Sequence, residues 1–180
     1  MIRFRLYYDK DKETQWLNEM SEQGWALKKF FAGFYSFEKC EKGEYIYQID
    51  LGDQLYSADE EYKALMRDVG AEIVAYWGYW VIMRRRAADG PFELYTDLES
   101  KIEHYKKILR MFRTAMVIEL IGMLVEVAGG LSGNALCWAY TALLCAFTIV
   151  LVNAMSRTNE VIDGLHEQLD GTVVKRRVGH

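Results

Sequence analysis

MFRTAMVIELIGMLVEVAGGL (Met111–Leu131) and ALCWAYTALLCAFTIVLVNAMS (Ala135–Ser156), separated only by Ser132-Gly133-Asn134, divide this 180-residue chain in two. Between Leu131 and Ser156 there is no Asp, Glu, Lys or Arg, whereas the residues before 100 are crowded with all four. Each stretch is about the ~20 apolar residues that a helix needs to cross hydrocarbon. The glycine-rich Gly129–Asn134 between them reads as a tight, uncharged turn. The pattern therefore predicts a two-span transmembrane hairpin, with spans at about 111–131 and 135–156. Thr96-Asp97-Leu98-Glu99 carries a capping-box pattern, and the helix it opens is expected to run unbroken into the first span.

Basic residues near the ends set the orientation. Lys106, Lys107, Arg110 and Arg113 precede the first span and Arg157 follows the second, while the turn has none. Both termini are expected in the cytoplasm of a multi-pass cell-membrane protein. Residues 157–180 place Val161, Ile162, Leu165 and Leu169 on one helical side and end in Lys175-Arg176-Arg177. A juxtamembrane helix resting on anionic lipid and a short self-association helix both fit that pattern.

Glu119 and Glu126 stand inside the first span, where an ionised carboxylate costs on the order of 2.5–3.5 kcal/mol on insertion scales. Seven residues apart, they share a helical face with Ala115, Gly122 and Gly129. An acidic, small-residue stripe points at protein rather than lipid. In an antiparallel hairpin Glu119 is level with about Cys145–Thr148, and Glu126 with about Trp138–Thr141. Thr141, Cys145 and Thr148 fall on one face of the second helix. Two readings follow: protonated glutamates bonded to Thr141 and Thr148 across the hairpin, or a site for a partner's basic residue, a cation or a proton.

The part before the spans is acidic and aromatic. Met1–Ser100 has 13 basic and 19 acidic side chains (−6), the remainder has 9 and 7 (+2), and together they give the −4 of the chain. An acidic domain argues against nucleic acid, whose phosphates need a basic face. Arg84-Arg85-Arg86 is the sole candidate patch and reads as a solvated run. Three cysteines, with Cys137 and Cys145 in the apolar run, make no disulfide framework. Met1 leads directly into alternating residues rather than into a signal peptide.

Ile2, Phe4, Leu6 and Tyr8 alternate as a strand does. A helix follows, with Asp11 as expected cap, Trp16, Leu17 and Met20 on one face and Gly24 at its end. Strands Trp25–Phe31 and Phe34–Lys39 hinge at Gly33. The order then recurs: strand Tyr45–Asp50, a helix opened by Ser57-Ala58-Asp59-Glu60 with Tyr62, Leu65, Met66 and Val69 as its buried stripe, Gly70, and strands Ile73–Trp77 and Tyr79–Arg85 hinged at Gly78. Phe4, Leu6, Tyr8 and Asp9 match Tyr45, Tyr47, Ile49 and Asp50. Trp16, Met20, Gly24 and Leu27 match Tyr62, Met66, Gly70 and Ile73, and Gly33 and Phe37 match Gly78 and Ile82.

The expected fold is an α+β domain over 1–95, a tandem β-α-β-β repeat (about 1–40 and 44–86) whose antiparallel sheet carries two helices on one face. Residues 96–156 supply the connecting helix and the α-helical hairpin. The tandem unit looks like the arrangement in GyrI-type ligand-binding domains, in topology alone. Of 25 aromatic residues, 20 precede residue 100. Helices on one face leave the other to be covered by loops, by a second copy or by a ligand. Tyr35, Phe37, Trp77 and Trp80 are the candidate rings of such an aromatic groove.

No nucleophile elbow, phosphate-binding glycine loop or metal-ligand spacing is found. His104, His166 and His180 are far apart in sequence. The chain is expected to be non-enzymatic, without a cofactor or metal.

Trp16-Leu17-Asn18-Glu19-Met20, Gly24-Trp25 with Leu27, Tyr35 with Phe37, Glu61-Tyr62, Gly70, Gly78 with Trp80, and Tyr95-Thr96-Asp97 form a series that resembles the family catalogued as domain of unknown function 2812. The resemblance covers about residues 1–110. It implies a membrane-anchored protein with this kind of N-terminal domain, and carries no catalytic residues. Its members are often encoded beside PadR-type repressors, which implies envelope-stress or drug-response circuits. The expected role is a membrane-anchored sensor or accessory subunit whose cytosolic domain binds a ligand or protein, with the lipid bilayer and a membrane protein or a further copy as partners. The alternatives are a stand-alone binder of amphipathic or cationic drugs and a self-assembling structural membrane protein.

Overall fold

Alternation of inward and outward side chains builds six strands, and left-handed glycines set their turns. The computed structural model describes residues 1–7 and 9–178, with side chains described as far as Thr172. It divides into two units, the first Met1–Leu94 and the second beginning at Tyr95.

In the first unit β1 (Ile2–Phe4), α1 (Lys10–Glu22), β2 (Trp25–Phe31) and β3 (Phe34–Lys39) are followed by β4 (Tyr45–Leu51), α2 (Glu60–Asp68), β5 (Glu72–Trp77) and β6 (Trp80–Arg86). The strands pair as β1-β3-β2 and as β4-β6-β5, antiparallel throughout. The duplication extends to irregularities. A bulge falls between Leu27 and Lys29 in β2 and between Ile73 and Ala75 in β5, so the matched Leu27 and Ile73 sit at the same kink. The first hairpin turns through Ala32 and Gly33 with φ of 47° and 83°, the pair of positive values that suits a two-residue connection. Counted from the hairpins, Phe34 is equivalent to Trp80 and Phe37 to Met83, not to Ile82 as the sequence alignment has it. The strand partners of Leu27 and Ile73 require this.

The α+β class and the tandem order stand. The six strands form two three-stranded sheets, and the helix placement follows from that division. Trp16, Leu17 and Met20 of α1 share one core with Leu27, Tyr35 and Phe37 of the first sheet and with Tyr47, Ile49 and Ile82 of the second. Met66 of α2 shares another with Val81 and Met83, closed by Phe92. Neighbouring strand residues point to opposite faces, so α1 and α2 lie on opposite sides of the second sheet. Within each repeat, however, the helix covers the equivalent face: Tyr35 and Phe37 under α1, Val81 and Met83 under α2. Only Met66 and, partly, Tyr62 of the expected α2 stripe turn inward. Leu65 and Val69 are exposed, because this helix of 9 residues touches its sheet along a single i, i+4 edge.

The aspartate immediately before each helix caps it. Asp9, not Asp11, accepts from the Asp11 and Lys12 amides. Asp59 accepts from Tyr62 and Asp97 from Ser100, leaving Ser57 and Thr96 outside the capping bond. Tyr8, expected at the end of the first strand, lies outside the described residues.

The second unit consists of α3 (Leu98–Leu131) and α4 (Ala135–Val178), packed along each other as a hairpin. The expected juxtamembrane helix is a continuation of α4 without a break. The side chains of Lys175-Arg176-Arg177 lie outside the described residues. Both helices are long and apolar enough to cross a membrane, by length and composition. Their apolar segments are not a protein core: Ile118, Ile121, Leu124, Val125, Leu143, Phe147 and Ile149 are all exposed. At the turn the helices approach closely. A Cβ on Gly129 would stand 2.7 Å from Cys137 Sγ. At Gly122, on the same stripe, a Cβ would meet nothing within 4 Å.

Candidate functional site

Glu119 is the one carboxylate of α3 that is fully withdrawn from the surface among the described residues, at 7% exposure. Thr148 of α4 places its hydroxyl 3.1 Å from Glu119 Oε1 and donates also toward the Leu144 carbonyl at 3.0 Å. Glu119 Oε2 is buried without a hydrogen-bond partner. The sequence places Glu119 level with Cys145–Thr148, and the structure does the same. Glu126 is half-buried and faces the Cys137 thiol, one residue outside the expected Trp138–Thr141. Thr141 turns its hydroxyl back to the Cys137 carbonyl at 2.8 Å. Of the four polar residues expected inside the spans, the structure thus joins Glu119 to Thr148 and leaves Thr141 in a bond within its own helix.

In the first unit, side chains occupy positions where strands would otherwise pair. The Tyr47 amide donates to Asn18 Oδ1 at 2.7 Å, and Asn18 Nδ2 donates to the Tyr47 carbonyl at 3.3 Å. One amide side chain on α1 therefore serves both backbone groups of a residue in β4, as a ladder partner would. Ser21 accepts from the Tyr45 amide at 3.1 Å. The exposed edge of β4 is closed by a helix, one of the ways natural sheets avoid further pairing. At the β2 bulge, Tyr47 Oη accepts from the Leu27 amide at 2.7 Å and Arg84 Nη1 donates to the Leu27 carbonyl at 3.1 Å. Arg84 also pairs with Glu72 at 2.9 Å and lies over the Tyr45 ring at 4.3 Å. The first arginine of the Arg84-Arg85-Arg86 run is therefore a clamp between the two sheets.

α1 turns a half-buried acid, Glu13, toward the first sheet. Tyr35 Oη donates to Glu13 Oε1 at 2.6 Å. Burial lifts the Glu13 carboxyl to about 7, and the bond from Tyr35 offsets only part of that rise. The Tyr35 hydroxyl is pushed up as well, by burial and then by the Glu13 charge. Nearby, Arg5 lies over the Trp16 ring at 4.7 Å and donates to Tyr7 Oη at 2.9 Å.

The four rings expected to form a groove do not share one surface. Tyr35 and Phe37, at 1% and 3% exposure, are inside the closed core under α1. Trp80 packs on the same core, and Trp77 is half-buried against Phe30, Phe31 and Tyr56. The open apolar surface is the other face of the first sheet. Ile2, Phe4, Leu6, Phe31 and Phe34 are between 53% and 75% exposed, and Phe4 meets Phe34 at 4.8 Å. Register puts Phe4 opposite Phe34 and Phe31 opposite Phe34, so these rings form one contiguous patch. A separate groove of about 370 Å³ lies between α2 and β5, lined by Lys63, Met66, Arg67, Ile73 and Tyr76 among others.

Residues 9–117 match the family described as "Protein of unknown function (DUF2812)". The chain belongs to the DUF2812 family. The matched segment starts at the Asp9 cap of α1 and ends inside the apolar part of α3, so it takes in nearly all of the α+β unit. No curated protein and no solved structure matches the chain. The Trp16-Leu17-Asn18-Glu19-Met20 segment is explained by the structure: Trp16, Leu17 and Met20 face the core while Asn18 closes the β4 edge.

Asn18, Glu13 and Arg84 are among the polar residues that sequence reasoning missed. Asn18 and Glu13 lie one turn apart or less from the apolar stripe of α1, where a polar side chain meets sheet rather than water. That position is a signal legible from helical periodicity alone. Arg84 alternates with Met83 and Arg85 on a strand, and no local pattern distinguishes it from its solvated neighbours.

Proposed function

We propose that this DUF2812 protein is a non-catalytic regulatory or accessory subunit, anchored in the cell membrane by α3 and α4 with both ends in the cytoplasm. Its α+β unit serves as the cytosolic binding head. The observation that carries the reading is the open face of the first sheet, where five large apolar side chains stand in contact with water beside a core that is otherwise closed. Contiguous exposed apolar surface of this kind marks an interaction site. The apolar surfaces of α3 and α4 support anchoring, and Lys106, Lys107, Arg110, Arg113 and Arg157 support the orientation. Glu119 and Thr148 serve to hold the hairpin together, since the carboxylate is engaged within it.

The small-molecule reading is favoured by a different observation, the groove between α2 and β5. Its lining combines Met66, Ile73 and Tyr76 with charges of both signs, Lys63, Arg67 and Glu72, which suits an amphipathic ligand.

The test is purification of the tagged full-length protein from its native membranes in mild detergent, with native mass spectrometry of the wild type and of Phe34→Glu. The reading expects a stoichiometric complex in the wild type that Phe34→Glu loses. A complex of the same mass in both, or none in either, would sink it.

A further inference from the structure

We infer that the open face of the first sheet is covered by the same face of a second copy of this chain, forming a two-fold dimer of the cytosolic units. The inference rests on the binding-head reading above and names the partner of that face. Internal duplication supplies the first argument. The face of the second sheet equivalent to it carries Trp80, Ile82 and Ile49, and these are packed against the first β-α-β-β unit. The chain thus already buries this face of its repeat once, against α1 and the helix-bearing side of the first unit. In the first repeat the equivalent Phe34, with Phe4 and Ile2, has no such cover.

Area supplies the second argument. Five side chains exposed by 53–75% offer roughly 600 Å² of apolar surface, most of the ~800 Å² that each partner of a stable pair buries. Charge supplies the third. The polar end of the face carries Lys29 and a Lys28–Glu38 pair at 3.3 Å, which is close to neutral. Arg5 is turned to the other side, over Trp16. An anionic lipid surface would call for a basic cluster, and the first hundred residues are instead net acidic. A face that meets its own copy about a two-fold axis needs no such excess, because the contact is self-complementary. Copies anchored in one membrane are confined together, and that confinement raises their effective concentration.

The test uses the full-length chain with Cys40→Ser, Cys137→Ala and Cys145→Ala, and adds Ser36→Cys, which lies on this face opposite Ile2 and Lys29. Mild oxidation in native membranes is expected to give a disulfide-linked dimer, reversed by reductant. Lys63→Cys, on α2, is expected to give none. Adding Phe31→Glu and Phe34→Glu should reduce the Ser36→Cys dimer at least tenfold, and Phe34→Tyr should retain it. An unchanged thermal transition shows that the doubly charged variant is folded. A dimer that survives both charges overturns the inference. So does a monomer that holds a different protein through Phe34, an outcome that leaves the proposed function standing. Association of any kind that ignores this face overturns both.

Discussion

Replacing Asn18 by Leu keeps the size of the side chain and removes its amide, so it isolates the two bonds that close the β4 edge. The Tyr47 amide would lose an acceptor at 2.7 Å and its carbonyl a donor at 3.3 Å. A backbone group left unpaired costs about 1–3 kcal/mol when sealed from water. Asn18 is only half-buried and water can reach part of the site, so the lower range applies to each group. The loss is then about 2–3 kcal/mol. For a unit of this size, that lowers the thermal midpoint by roughly 10–20 °C. Asn18→Asp is the informative companion: it keeps an acceptor for the Tyr47 amide but sets a carboxylate against the Tyr47 carbonyl, so it should fall between wild type and Leu. Thermal unfolding of the full-length protein in detergent, followed by near-ultraviolet circular dichroism, reads both. A midpoint for Asn18→Leu within about 3 °C of wild type would refute the claim that the side chain stands in for a strand partner.

Three further outcomes are expected. Because the folded Glu13 carboxyl titrates near 7 against 4.5 when unfolded, the native state holds the extra proton between those values. Stability should therefore be greatest below about pH 4.5 as far as this group is concerned, and fall as pH rises through 7, by on the order of 1–3 kcal/mol after solvent screening. Glu13→Gln should flatten that slope in urea titrations from pH 5 to 8, and an unchanged slope would assign it elsewhere. Arg84→Lys should cost about 1–3 kcal/mol, because an ammonium cannot reach Glu72 and the Leu27 carbonyl together while stacking on Tyr45. Chemical denaturation at neutral pH checks it, with Arg86→Lys as the silent comparison. In the hairpin, a double-mutant cycle of Glu119→Gln and Thr148→Val should give a coupling of about 0.5–1.5 kcal/mol by unfolding in mixed micelles. A coupling of zero would mean that the two groups do not meet.

Much of this architecture is legible in the sequence because it rests on local periodicity. The apolar runs, the alternation in Trp25–Phe31 and Phe34–Lys39, and the paired glycines at 24, 33, 70 and 78 each act within a few residues. The level of Glu119 with Thr148 follows from helix rise and a short turn. What could not be read is set by contacts distant in sequence. Tyr35 and Phe37 are large aromatics on a strand whether they face a groove or a core, and only the position of α1 decides that they are buried. Leu65 and Val69 satisfy the helical stripe, yet α2 is too short to bury them. Arg84 reads as one of three solvated arginines until the Leu27 bulge, 57 residues away, is brought beside it. The two sheets could not be distinguished from one, because side chains of Tyr47 and Arg84 rather than a ladder join the repeats at β2.

The central claim is that α3 and α4 cross the membrane and leave the α+β unit in the cytoplasm. Labelling with a membrane-impermeant maleimide tests it directly, on full-length protein lacking its native cysteines and carrying either Ser132→Cys in the turn or Lys42→Cys in the first unit. Both positions are exposed in the structure. In intact cells the account predicts labelling of Ser132→Cys alone, with Lys42→Cys reacting only once the cells are opened. Labelling of Lys42→Cys in intact cells, or release of the protein from membranes by alkaline carbonate, would contradict it.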